Sequence, residues 1–448
     1  MTTQAEALPL ESAAAAGSSE APTALSGRTR VSILLYLCVL ILLTGFGSPY
    51  GGLIDVPVSF FLKNKLHLSA PAIASFRLAA GIPLYLSVLF GFVRDVWNPF
   101  GRRDRGYFML FGAICAAIYV VFAFTVPSYA TLLAAMVLLS AAFLFVSSAG
   151  NGLVATLGQQ HVMSGQISTV FNIVSSVPVM AALVIGGLLS NLMEGQGAQR
   201  AAQMLFLSGA LFMVGVALFG IWKPRFVYDN VHAERGPAPN LVKDFLRLVR
   251  HWPVYPALLI WLLWNFAPGA QTPLQFYLQN TLHSSDAVFG AWNAIFAASF
   301  IPTFLLYGWL CQKYPLKPLL WWGTVIAVPQ MVPLLFMHDP GGALIAAIPI
   351  GLMGGVSSAA YTDLLIRSCP RGMQGTVLMF SVSLYYIASR FGDILGTNLY
   401  QRFGGFTVCV IAITVVYALI LPTLLLVPNR LIATADGERP EGGGFAVD

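Results

Sequence analysis

Twelve long apolar stretches, separated by polar loops, run along most of the chain. A helix of about 20 apolar residues crosses a bilayer, and every stretch reaches that length. The stretches are continuous and do not alternate in polarity, which excludes a membrane β-barrel. The pattern therefore predicts an all-α membrane protein with twelve transmembrane helices. The predicted helices cover residues 31–62, 70–93, 106–126, 129–152, 163–191, 202–222, 253–280, 286–311, 317–337, 341–366, 372–399 and 404–427.

The longest polar interruption, residues 223–252, divides the predicted helices six and six. Within it, apolar side chains recur at helical spacing between residues 241 and 249, which predicts an amphipathic helix on the membrane surface. The first residues are rich in Ala, Ser, Thr and Glu without an apolar core, which is typical of a disordered tail. The predicted domains are an N-terminal tail (1–27), a six-helix bundle (28–222), a linker (223–252), a second six-helix bundle (253–428) and a disordered C-terminal tail (429–448).

Composition and charge place the chain in the membrane. Of the 448 residues, 57% are hydrophobic and only 9% are charged, whereas a soluble domain is about 25% charged. This balance excludes an ordinary cytosolic enzyme, a disordered protein and a nucleic-acid binder of the basic-patch kind. With both termini in the cytoplasm, 18 of the 24 Lys and Arg residues fall on cytoplasmic segments, as the positive-inside rule requires. We therefore predict a multi-pass protein of the cell inner membrane.

The two groups of six helices repeat one another. Residues 61–69 match residues 277–285 at an offset of 216, with Asn-x-Leu-His-x-Ser in register in both. Further on, Met163 matches Met373 and Gly165 matches Gly375 at an offset of 210. Because six is an even number, two such halves have the same orientation in the membrane. Parallel repeats of this kind are the architecture of major facilitator transporters.

The loop after the second predicted helix also resembles that superfamily. It contains a Gly, then an Asp, then Gly-Arg-Arg, which is similar to the superfamily's signature loop. Gly91 would allow close helix approach, and Asp95 would pair with an arginine or cap a helix of the opposite half. Arg102 and Arg103 would help to hold the cytoplasmic side shut, as an inner gate. The alternative is a basic anchor that serves orientation only.

A second stretch is similar to the folate–biopterin transporter group of this superfamily. The run Cys369-Pro-Arg-Gly-Met-Gln-Gly-Thr376 opens the eleventh predicted helix, and Gln374 stands where that group has an acidic residue. The resemblance implies a twelve-helix secondary transporter. Just before this run, Asp363 and Arg367 lie four residues apart, which predicts a helical salt bridge contributing to the inner gate.

Four ionisable residues are predicted to lie inside the membrane, where each costs about 3 kcal/mol or more without a partner or water. Asp55 and Arg77 come from the same outer side and would form a protonatable site or an anion anchor at Arg77. The alternatives are a static salt bridge between the first two helices, or an Asp55 that lies in the outer loop. Arg390 and Asp393 share a face of the eleventh helix. Arg390 would bind a substrate anion and Asp393 would titrate during coupling; alternatively the two neutralise each other, or form an outer gate.

Three uncharged polar residues complete the candidate site. Asn265 and Gln271 flank Pro268 and Gly269, where the seventh helix is expected to break, and Asn172 lies in the fifth helix. These side chains would line a cavity or simply join helices by hydrogen bonds.

The remaining chemistry points away from catalysis. The five Cys and six His residues lack metal-ligand spacing, and the sequence has no phosphate-binding or nucleophile motif. We therefore predict no enzyme activity, no metal and no cofactor. The predicted function is a secondary active transporter that moves a small polar or anionic solute by alternating access, coupled to protons. The expected partners are that solute, protons and the lipid bilayer, with no nucleic acid and a monomeric state. The alternative is a non-transporting membrane assembly or pigment-delivery factor on the same scaffold.

Overall fold

The computed structural model describes residues 26–438, apart from residues 52–53, 55–57, 59–61, 63–65, 69, 195–197, 229–245, 247, 285, 371 and 404. The described chain forms the twelve predicted helices in two bundles of six, which confirms the fold class. In the first half these are α1 (Gly27–Phe46), α2 (Ala70–Ala80, Ile82–Tyr85 and Ser87–Val96), α3 (Asp104–Ala123), α4 (Tyr129–Gln160), α5 (Ser164–Glu194) and α6 (Ala198–Ile221).

The second half repeats this order. Its helices are α7 (Val254–Asn265 and Thr272–Phe276, followed by a π turn, Tyr277–Thr281), α8 (Asp286–Leu310), α9 (Leu316–Ala327 and a 3-10 turn, Val332–Phe336), α10 (Pro340–Ser368), α11 (Gln374–Phe403) and α12 (Phe406–Ala418 and Ile420–Leu424). Two short helical turns, Arg225–Tyr228 and Asn429–Ile432, follow α6 and α12.

Among the described residues, nine helical spans are long and apolar enough to cross a membrane by themselves. The other three helices are α2 and α7, which are interrupted, and α11, which has 30 residues but is more polar. In α7 the break follows Asn265, and Gly269 adopts a positive φ of 116°, which favours a residue without a Cβ. These three helices therefore carry polar side chains or irregular backbone. Irregular backbone is tolerated at membrane depth only inside protein or beside water.

Each half has its own apolar core. One cluster joins α1, α3, α4 and α6 around Tyr36, Tyr107 and Tyr119, and a second joins α7 to α10 and α12 around Trp292 and Tyr307. The boundary between the halves, which we call the seam, is formed mainly by α2 and α4 against α11 and by α5 against α8 and α10. We call the bundle end that holds Ser26, Trp97, His161 and Cys369 the terminal face, because the first and last described residues lie there.

The C-terminal segment departs from the sequence prediction. Residues 429–438 were expected to belong to a disordered tail, but they form a helical turn and a second turn folded against the terminal face, with Leu431 and Asp436 buried. Three apolar side chains, Leu431, Ile432 and Ala435, secure the segment. Residues 1–25 of the expected N-terminal tail (1–27) and most of the expected amphipathic helix (241–249) lie outside the described residues. The described residues of that helix, 246, 248 and 249, are helical.

Candidate functional site

Helices α2 and α11 come into close contact at the terminal face. A Cβ at Gly91 would lie 2.5 Å from the carbonyl oxygen of Gly375, so only glycine permits this distance. One turn away, the Ser87 hydroxyl lies 2.8 Å from both the Met379 carbonyl oxygen and the Ser383 hydroxyl. Gly91 thus occupies the position of close helix approach that the signature loop predicts.

Asp95 caps the start of α11 across the seam. Thr376 donates to Asp95 Oδ2 from both its N–H and its hydroxyl, each at 2.7 Å, and the Gly375 N–H donates to Oδ1 at 3.3 Å. The first N–H groups of a helix have no partner within the helix and carry a partial positive charge. A carboxylate of the first half therefore satisfies a helix start of the second half.

The guanidinium that pairs with Asp95 belongs to Arg94. Its Nη1 lies 2.6 Å from Asp95 Oδ1, and its Nη2 lies 2.5 Å from Asp104 Oδ1. All three side chains are buried, and a Cβ at Gly152 on α4 would lie 2.4 Å from Arg94 Cζ. Arg94 and Asp104 were absent from the sequence-based candidates, although Arg94 is adjacent to Asp95 in the sequence.

The two predicted gate arginines lie outside this cluster. Arg102 is exposed and points its Nη1 at the Met109 sulfur of its own half. Arg103 has a positive φ of 51°, and its N–H donates to Asn98 Oδ1 at 2.6 Å. The arginine cluster of the loop therefore lies beside the buried ion pairs and does not form them.

A second buried cluster centres on Arg367 at the end of α10. Its Nε lies 2.8 Å from Asp363 Oδ1, which is the ion pair predicted from their spacing, and also donates to the Ser164 hydroxyl of α5 at 3.0 Å. Its Nη2 lies 3.0 Å from Asp436 Oδ1. Asp363 Oδ2 in addition accepts a hydrogen bond of 2.7 Å from the Tyr307 hydroxyl. Arg367 therefore joins α10, the start of α5 and the C-terminal segment.

Asp436 caps the start of α5. The Gly165 N–H donates to its Oδ1 at 3.1 Å and the Gln166 N–H to its Oδ2 at 2.9 Å. Burial, together with the nearby Asp363 carboxylate, raises the pKa of Asp436 to about 6, against the lowering effect of Arg367 and the two N–H groups. Sequence reasoning missed Asp436, because its segment reads as polar tail.

Further polar contacts close the seam between these two clusters. Gln159 Nε2 donates to the carbonyl oxygens of Ile366 (2.8 Å) and Cys369 (2.7 Å), and Gln374 Nε2 donates to Gln159 Oε1 at 3.1 Å. The Ser168 hydroxyl donates to the Ala359 carbonyl oxygen at 2.6 Å. Gln374 thus acts as a bridge between the halves, with an amide in place of the acid that the related group carries.

Of the three predicted polar residues, Asn172 reaches across the seam, whereas Asn265 bonds within its own helix. Asn172 Nδ2 donates to the Ser168 carbonyl oxygen at 2.8 Å and reaches the Thr362 hydroxyl of the other half at 3.3 Å. Asn265 Nδ2 donates to the Trp261 carbonyl oxygen at 2.8 Å, one turn back. Gln271, after the break in α7, is exposed.

Asp393 holds the broken helix α7. It accepts from the Thr272 N–H and the Thr272 hydroxyl, each at 2.9 Å, and so satisfies the restart of α7. Within the described part of the chain no ion pair joins Asp393 to Arg390, and Arg390 is exposed. In this structure the ion pair of the spacing-based alternative is not formed, because Asp393 turns toward the start of the second segment of α7.

Of the two candidate residues near the outer side, the structure describes Arg77 but not Asp55. Asp55 lies outside the described residues, so its pairing with Arg77 stays a prediction. Arg77 is exposed and lies in the first segment of α2, seven residues before Leu84. The segment that carries Arg77 contacts α4, whereas the next segment, after Gly81, brings Leu84 against Met379 of α11.

The fold and site define a class: an all-helical membrane transporter of two parallel six-helix halves with closing contacts at one face. The model of the Major Facilitator Superfamily matches residues 168–397, and the chain belongs to that superfamily. It is 24% identical over 370 residues to a folate-biopterin transporter of Synechocystis sp., covering 79% of this chain and 72% of the relative. It is also 24% identical over 383 residues to a probable folate-biopterin transporter of Arabidopsis thaliana, covering 80% and 84%.

Solved structures agree on the fold. A Major Facilitator Superfamily transporter, FucP, in the outward conformation superposes with a TM-score of 0.67 at 15% identity, covering 90% of this chain and all of the other. The proton:xylose symporter XylE, bound to 6-bromo-6-deoxy-D-glucose, gives 0.67 at 13% identity, covering 92% and 99%.

Proposed function

We propose that this transporter is a secondary active carrier that moves a small anionic solute by alternating access, coupled to protons. The observation that carries the proposal is the reciprocal pair of caps at the terminal face. Asp95 of the first half caps α11 of the second, and Asp436 after the second half caps α5 of the first. Such polar contacts can be exchanged for water when two rigid halves rotate, whereas apolar interlocking would resist separation.

The basic residues support an orientation. In the proposed topology the terminal face is cytoplasmic, because the segments that the sequence assigns to this side carry 18 of the 24 Lys and Arg residues. The protein would then lie in the inner membrane with both termini in the cytoplasm. With its cytoplasmic contacts made, the described conformation corresponds to an outward-facing state.

Arg390 supports an anionic substrate. It lies sixteen residues beyond Gln374, or about 24 Å along α11 at 1.5 Å per residue, and seven residues beyond Ser383, which contacts Ser87 of α2. Arg390 therefore lies on the face of α11 that meets the first half, and it is exposed there. A guanidinium facing lipid at this depth would be costly, so we assign the exposure to a polar space between the halves.

The substrate class proposed from the relatives is a folate or a pterin. A folate has two carboxylates and a planar ring, which suits the charge of Arg390 and neighbouring aromatic side chains. Tyr386, one turn before Arg390, lies edge-on to Tyr50 of the first half with ring centroids 6.0 Å apart. An aromatic pair that spans the seam next to an arginine offers both a stacking surface and an anion contact.

Uptake into proteoliposomes tests the proposal. Purified protein should accumulate labelled folate when the outside is acidic, and collapse of the pH gradient should stop accumulation. Arg390→Gln should raise the KM for folate about tenfold or more, because a hydrogen bond to a charged group contributes about 1.5–3 kcal/mol. Arg402→Gln, on the exposed last turn of the same helix, is the matched control and should change KM less than twofold.

Each alternative has its own outcome. If no pH-driven uptake of folate, pterin or other organic anions occurs and a membrane partner co-purifies in fixed ratio, the assembly-factor alternative replaces the transporter proposal. If uptake occurs and Arg390→Gln leaves KM unchanged, the transporter proposal stands and the anion site lies elsewhere.

A further inference from the structure

We propose that Asp436 is a gate-positioning residue, the counterpart of Asp95 in the second half. By capping α5 across the seam, it would help the C-terminal segment hold the terminal face closed. The inference rests on the proposed alternating access, and it adds to that function a residue that lies beyond the last transmembrane helix.

The internal repeat shows what is missing from the second half. At the offset of 216 that aligns the start of α2 with the start of α8, Asp95 corresponds to Cys311. At the offset of 210, Gly375 corresponds to Gly165. The contacts correspond as well: a Cβ at Gly375 would lie 2.8 Å from Asp95 Oδ1, and one at Gly165 would lie 2.7 Å from Cys311 Cβ. The second half therefore presents a thiol where the first presents a carboxylate.

Asp436 supplies the missing carboxylate from a different part of the chain. Its Oδ2 lies 3.7 Å from Cys311 Sγ, and its own N–H donates to the Cys311 carbonyl oxygen at 2.9 Å. From there its two oxygens reach the Gly165 and Gln166 N–H groups. The carboxylate thus takes the place, relative to α5, that Asp95 takes relative to α11.

The charge inventory of the two clusters agrees with this correspondence. Arg94 is shared by Asp95 and Asp104, and Arg367 is shared by Asp363 and Asp436. Each cluster therefore combines one guanidinium, two carboxylates and a helix N-terminus of the opposite half. That N-terminus supplies partial positive charge, which separation of the halves removes from both clusters.

The segment that carries Asp436 contacts both halves. Arg367 Nη1 donates to the carbonyl oxygens of Thr434 (2.9 Å) and Leu431 (3.3 Å), which fixes the segment to the second half. The Gly437 N–H donates to the carbonyl oxygen of Val162, just before α5 in the first half, at 2.8 Å. Rotation of the halves must therefore break the segment's contacts on one side.

Two native cysteines allow a direct test without substrate. Cys311 and Cys369 are each 1% exposed. Cys311 lies beneath the C-terminal segment, whereas Cys369 lies at the seam, where Gln159 donates to its carbonyl oxygen. Alkylation of Cys311 by N-ethylmaleimide reports release of the segment, and alkylation of Cys369 reports separation of the halves. Each is measured in a full-length chain whose other four cysteines are replaced by Ala.

The proposal predicts that Asp436→Ala accelerates alkylation at both cysteines tenfold or more. Glu438→Gln is the matched control: Glu438 is exposed and accepts a local 3.1 Å bond from the Ala435 N–H, and both rates should stay within twofold. In the chain that keeps Cys369 alone, Cys311→Asp in place of Cys311→Ala should restore slow alkylation of Cys369 to the Asp436→Ala variant. The reason is that it returns a carboxylate to the position that corresponds to Asp95.

A role as a local cover alone would give a different result. In that case Asp436→Ala accelerates alkylation of Cys311 but leaves Cys369 within twofold, and the proposal is overturned. Cys115, buried within the first half, serves as the folding control in a third single-cysteine chain. Labelling of Cys115 in the Asp436→Ala variant would indicate unfolding. In that case the rescue variant, which combines Asp436→Ala with Cys311→Asp, decides. If the rescue variant is folded and Cys369 is still alkylated rapidly, the proposal is overturned. The uptake assay is independent, so its failure alone would count against transport and not against the gate contact.

Discussion

The cap formed by Asp95 permits a quantitative prediction about the closed terminal face. Asp95→Ala removes three hydrogen bonds that join the halves, two from Thr376 and one from Gly375. Loss of an N-cap costs about 1 kcal/mol, and a hydrogen bond to a charged group contributes about 1.5–3 kcal/mol. Arg94 keeps its contact with Asp104, so the variant does not leave an isolated buried charge.

Because any open state lacks these three bonds, their loss acts on the closed state alone. Allowing for water that replaces part of the set, we expect about 2–3 kcal/mol, which is roughly a 30- to 150-fold rise in the open fraction. Alkylation of Cys369 in the single-cysteine chain measures that fraction when opening is fast relative to labelling. Asp95→Asn, which retains one acceptor, should fall between the parent and Asp95→Ala.

The chain offers a matched control for helix capping as such. Asp339 caps α10 by accepting from the Gly342 N–H at 2.9 Å, within one half and away from the seam. Asp339→Ala should lower the melting temperature without accelerating alkylation of Cys369. Equal acceleration in Asp339→Ala and Asp95→Ala, or none in Asp95→Ala, would refute the assignment of Asp95 to the closing contact.

Two other predictions concern protons. Asp393→Asn should abolish pH-driven accumulation, because Asn does not bind a proton in this pH range. Folate exchange at equal pH should continue, because Asn keeps an acceptor for Thr272; undiminished pH-driven uptake would remove Asp393 from coupling. The pKa of Asp436 is about 6 when the side chain is buried against Asp363, Arg367 and Cys311, and near 3.9 when it is free. Docking of the C-terminal segment therefore binds a proton. The docked state should be most stable below pH 4 and lose stability as the pH rises through 6. A spin label at Glu438→Cys should become more mobile between pH 5 and 7.5, and Asp436→Ala should remove that dependence; a pH response unchanged by Asp436→Ala would contradict the reasoning.

The twelve helices could be predicted because each apolar run is long enough to span a bilayer. The break in α7 was also predictable, since Pro268 and Gly269 interrupt its apolar run. The hydrogen-bond and ion-pair partners of the polar side chains could not be predicted from the helical pattern. Spacing placed Asp393 beside Arg390, but an unsatisfied helix start 121 residues away at Thr272 takes the carboxylate.

The two gate clusters show the same limit. The signature loop indicated Asp95, and a spacing of four indicated Asp363 with Arg367. Asp436 had no such signal, because it lies 270 residues from Gln166 in a polar segment whose composition is typical of disorder. A search of the repeat for the missing counterpart of Asp95 could have raised the question, although the answer requires the folded chain.

The late position of Asp436 bears on how the protein is made. Asp95 meets Thr376 across 281 residues, and the second cap requires residue 436, so neither contact exists while the first bundle alone has been synthesised. The first six-helix half can insert and pack around its own apolar cluster before the second is finished. The barrier to leakage between them is consequently completed only after α12 has been synthesised, and a nascent chain halted just past α12 would have every membrane crossing described here and only one of the two caps.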